Sequence, residues 1–161
     1  MPSENAVVAI CNRAADVQAT VAELRQQGLE PDCISIVAAD GQSGSMPAAY
    51  YVDGGRLRST ATRGGSQSVV EPFAVCAVLV CPGERTLFLA GPFAASVVGM
   101  LHNEGLFGGL GPIAGGLYNL GFSRDEARDY ELTALQGRPL VIVYGRARDV
   151  ERARHVSAVR P

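Results

Sequence analysis

Between residues 72 and 101 the chain is apolar almost without a break, "PFAVCAVLVC" and then "TLFLAGPFAASVVGML", parted only by Pro82-Gly83-Glu84-Arg85. A stretch of this kind must leave water, and it can do so in a bilayer, in the protein's own core, or against a second subunit. A bilayer-spanning helix asks for roughly 20 consecutive apolar residues. Glu84 and Arg85 stop the first run, Pro92 cuts the second, and His102-Asn103-Glu104 close it short of that length. No transmembrane span is expected. Core packing and a subunit contact remain, with contact at a membrane surface as a third alternative.

The flanking sequence supplies the rest of a fold. "AVVAIC" (6–11) and "CISIVAAD" (33–40) are short, Val/Ile-rich apolar runs of strand length. Between them Val17, Val21 and Leu24 recur at helical spacing, Asn12 offers a cap, and Gly28 offers a left-handed stop. Strand, helix, strand makes residues 1–40 a βαβ half, expected to pair in parallel. Residues 41–122 form a central excursion, rich in Gly and Ala. It opens with a hairpin around Asp53-Gly54-Gly55, whose Arg56 and Arg58 share a strand face with Arg63 beyond. Residues 123–161 read helix, strand, helix. "SRDEARDYELTALQG" opens on the capping-box pair Ser123 and Glu126, "RPLVIVYG" is a third apolar strand, and Asp149 offers a cap for the last helix. A chain of 161 residues is one domain with a core of its own.

Composition removes several function classes. All 14 basic residues are Arg and the net charge is −2, which gives nucleic acid no electrostatic footprint. The opening "MPSENAVVAICNRAAD" has no basic leader before its short apolar run, so a cytoplasmic location and reduced thiols at Cys11, Cys33, Cys76 and Cys81 are expected. Cys76 and Cys81 lack the compact four-ligand spacing of a zinc site. Cys11 and Cys33 stand at opposite ends of their strands, out of disulfide reach. No metal and no cofactor is implied.

Several short motifs together resemble the bacterial general-stress protein 17M-like, or YflT-type, domain. They are Leu24 and Gly28; Ile34-Ser35-Ile36-Val37; Pro82-Gly83; Ala90-Gly91-Pro92; Gly116-Leu117 with Leu120-Gly121; Ala127 and Tyr130; Gly137; and Leu140-Val141 with Val143. Two departures stand out: Glu84-Arg85-Thr86 follows the Pro-Gly turn, and the Tyr50–Arg63 hairpin replaces part of the Gly/Ala-rich centre. The resemblance implies an α+β, ferredoxin-like sandwich and a stress-associated or accessory role. It brings no catalytic residues with it.

The residues point to two kinds of activity. The first is non-enzymatic self-association, or joining a larger assembly, through Leu87, Phe88, Leu89, Phe93, Leu101, Phe107, Leu110 and Leu117. A homo-oligomer is the expected state. The second is a small-ligand or anion-binding regulatory domain. Its site would be the loop "GGLGPIAGG", where the N–H groups around Gly109 and Gly111 face an anion, with His102 and Glu104 beside them. That loop lacks both the Gly-Lys-Ser/Thr of a P-loop and the final Gly of G-x-G-x-x-G. No nucleophile–base pair stands in a recognisable enzyme motif.

Overall fold

The computed structural model describes residues 5–39, 50–53, 56–59, 76–80, 86–103 and 109–156. In chain order these form β1 (Ala6–Ile10), α1 (Ala14–Gln26), a 3-10 turn at Pro31–Cys33, β2 (Ile34–Ala39), β3 (Tyr50–Asp53), β4 (Arg56–Ser59), β5 (Cys76–Val80) and β6 (Thr86–Ala90). Then follow α2 (Pro92–Asn103), α3 (Pro112–Asn119), α4 (Arg124–Leu135), β7 (Leu140–Tyr144) and α5 (Ala147–Ala153). The apolar stretch is thus two strands and a helix. The arginine-bearing segment is a hairpin with Asp53 opposite Arg56 and Tyr51 opposite Arg58; Arg63 lies outside the described residues.

One antiparallel sheet runs in the order β1-β7-β2-β6-β5. β1 and β2 point the same way but do not pair, contrary to the parallel pairing expected of the βαβ half: β7 lies between them, with Val143 opposite both Val7 and Ile34. The connection from β6 to β7 likewise steps over β2. Two split βαβ units therefore interlock.

Helices cover both faces. Val17, Val21 and Leu24 of α1 and Val150 and Ala153 of α5 pack with Val7, Ala9, Ile34, Ile36, Val141 and Val143. On the other face Phe93, Ala94 and Val97 of α2, Ile113, Ala114 and Leu117 of α3, and Ala127 and Ala134 of α4 meet Val8, Val37, Leu87, Leu89, Leu140 and Ile142. The result is helix–sheet–helix, whereas an α+β sandwich keeps its helices to one face. The strands of the two split units run oppositely and step in opposite lateral directions. Helices on opposite faces therefore give the two crossovers opposite hands, and one takes the rarer left-handed course. Coverage on both sides also explains why "AVVAI" and "LVIVY" show no polar alternation: strands buried on two faces need apolar residues at every position.

Local chemistry sets the element ends. Asn12 does not cap α1; its Oδ1 accepts from Arg138 Nη2 at 3.0 Å, and Asp16 reaches back to the Asn12 and Arg13 amides at 3.3 and 3.1 Å. The last helix starts earlier than Asp149, at Ala147 after Arg146. At α4 the capping box is complete: Ser123 Oγ accepts from Glu126 N–H at 3.1 Å, and Glu126 Oε2 accepts from Ser123 N–H at 3.0 Å. The second bond holds the Glu126 carboxyl below its usual value. A lowered carboxyl stabilises the fold above the ordinary glutamate range, and that stability is lost as pH falls through it. Ser123→Ala should cost about 1 kcal/mol, and Glu126→Gln should flatten the acid limb of a melting-temperature profile. At the other end of the scale, burial and then the Glu126 charge raise the Tyr130 phenol. Its contribution is present below the ordinary tyrosine range and fades as pH rises through it.

Candidate functional site

The glycine loop at the start of α3 is the place where the sequence offered a ligand. Gly109 has φ +82° and is exposed, and Gly111 stands at the N-cap of α3 with Pro112 in the first turn. The first free amides of that helix are already engaged: Glu131, from α4, accepts from Ile113 N–H at 2.8 Å and from Ala114 N–H at 2.9 Å. Gly111 lacks a Cβ where one would collide with Glu131 Oε1. The partial positive charge of the helix end and two orphan donors thus meet a carboxylate of the same chain, which is how an external anion would otherwise be held. The glycines here serve a helix–helix joint. Glu131 was legible in principle, because it falls on the stripe Ala127–Glu131–Ala134 that α4 buries. Glu131→Ala should strip both bonds and leave two part-buried amides bare, at about 1–3 kcal/mol in a denaturant melt. Glu131→Gln, which keeps an acceptor oxygen, should cost less.

His102 falls in the last turn of α2, and its side chain lies outside the described residues, as does all of Glu104. Among the described residues no three metal-ligating side chains come together.

The residues nominated for a subunit contact divide in two. Leu87, Leu89, Phe93 and Leu117 are 0% exposed and Leu110 is 2% exposed, all within this chain's own core. They cover the sheet's second face, so they cannot also meet a partner while the chain is folded. The Phe88 and Leu101 side chains and all of Phe107 lie outside the described residues. What the core leaves outside, among large apolar side chains described, is Tyr118 on α3 at 43% exposure and Leu132 on α4 at 54%.

The motifs quoted above also meet in space. Ser35, buried in β2, accepts from Phe93 N–H at 3.0 Å and so caps α2 from a neighbouring strand. Gly91, at φ +92°, brings the β6–α2 turn down onto Ile34 and Ser35, and Pro92 presets the first helical residue. Gly116 of α3 lies against Phe93 and Val97 of α2. Ser35, Gly91-Pro92 and Gly116 thus form one packing unit, although 81 positions separate the first from the last.

The two described thiols, Cys11 and Cys33, are quiet; the Cys76 side chain and Cys81 lie outside the described residues. Cys11 Sγ and Thr20 Oγ1 are 3.7 Å apart, and Cys33 Sγ donates to the Glu30 carbonyl at 3.0 Å. Burial raises both thiols above the usual range, which disfavours the thiolate that nucleophilic or metal chemistry needs. Both are free, not bonded to each other. No described helix is long and apolar enough to cross a membrane. No protein family matches the chain, and neither a curated protein nor a solved structure is significantly similar to it.

Proposed function

We propose that this chain is a non-catalytic, cytoplasmic accessory protein, of the stress-associated kind its motifs resemble, that works by associating with itself or with a larger assembly. The observation that carries the reading is the way its interior chemistry is engaged. Ser35 caps α2, Glu131 closes α3, and Cys11 and Cys33 are hydrogen-bonded thiols of raised pKa. With those groups engaged inside the fold, function is left to the surface. The interlocked split βαβ units are the one feature that supports a likeness to ferredoxin-like folds; the placing of the two crossovers on opposite faces of the sheet departs from them.

The anion-binding alternative loses its strongest support, because Glu131 already takes the α3 amides. The test is the absolute mass in solution, by light scattering behind a sizing column across a hundredfold range of concentration. A mass that rises above one chain's with concentration supports self-association. A monomer at every concentration that also recovers no stoichiometric partner on affinity purification from cell extract overturns the reading.

A further inference from the structure

We draw no further inference here: the strongest candidate, the outer edge of the sheet at the apolar strand β5 (Cys76–Val80), is flanked by residues outside the described ones, and nothing in the structure shows what covers it.

Discussion

Replacing Gly91 by alanine should destabilise the protein by about 3 kcal/mol or more, enough to remove a large share of the 5–15 kcal/mol that holds a typical domain. Two costs add. At φ +92° the backbone is in the left-handed region, which a Cβ disfavours. The added methyl would also stand inside van der Waals contact with the Ile34 carbonyl oxygen and within 2.8 Å of Ser35 Oγ and 2.9 Å of Ser35 Cα. Two of those three atoms belong to β2 backbone in mid-sheet, so they cannot swing aside as a side-chain tip would. Relief comes only by lifting the β6–α2 turn, and that breaks the bond from Phe93 N–H to Ser35 Oγ. The check is chemical denaturation of Gly91→Ala beside Ser35→Ala. The serine variant removes the cap alone, at about 1 kcal/mol, and isolates it from the steric part. A glycine variant that melts like wild type would mean the turn does not lie on β2 as described.

That turn also shows how far the residues alone could lead. "AGPF" reads locally as a strand end followed by a helix start, with Gly and Pro in the order such a junction wants, and both elements are there. The Ser123/Glu126 box and the left-handed glycines Gly28 and Gly137 were equally legible, because capping is decided within four or five residues. The serine in "CISIVAAD" gave no such hint. Its partner is 58 positions away, and only the sheet order brings β2 beside β6. The pairing of β1 and β2 failed for the same reason. Apart from Ser35 both strands are apolar, so nothing in either sequence marks which neighbour each prefers, and the intruding β7 is 101 residues beyond β2. The candidate site depended on packing in a more instructive way. A glycine-rich loop before a helix looks alike whether its open amides await a ligand or a side chain from the next helix, and Glu131 decides between them only once α3 and α4 are packed. Of the nominated contact residues, Leu87, Leu89, Phe93, Leu110 and Leu117 are apolar for the commonest reason, burial in their own chain.

Phe93 is where that burial is most concentrated, and Phe93→Ala should cost about 3–5 kcal/mol. The side chain is fully buried at the start of α2, between the sheet's second face and α3, and is among the largest so placed. Its neighbourhood has little freedom to close the void, because α3 is pinned at its other end by Glu131. A sharper form of the prediction uses Gly116. A Cβ there would approach Phe93 Cζ to 2.8 Å and Val97 Cγ2 to 2.9 Å, so Gly116→Ala alone should destabilise by about 1–3 kcal/mol through overpacking, despite the helix propensity it gains. In a Phe93→Leu background the ring edge is gone, and the same methyl should enter space that the leucine leaves empty. The two changes should then cost less together than the sum of each alone, with a coupling of about 1 kcal/mol or more in a double-mutant cycle. The Val97 contact remains in both backgrounds, so rescue should be partial. Strict additivity would show that α2 and α3 do not approach through Gly116, and the packing unit that joins Ser35, Gly91 and Gly116 would have to be drawn differently.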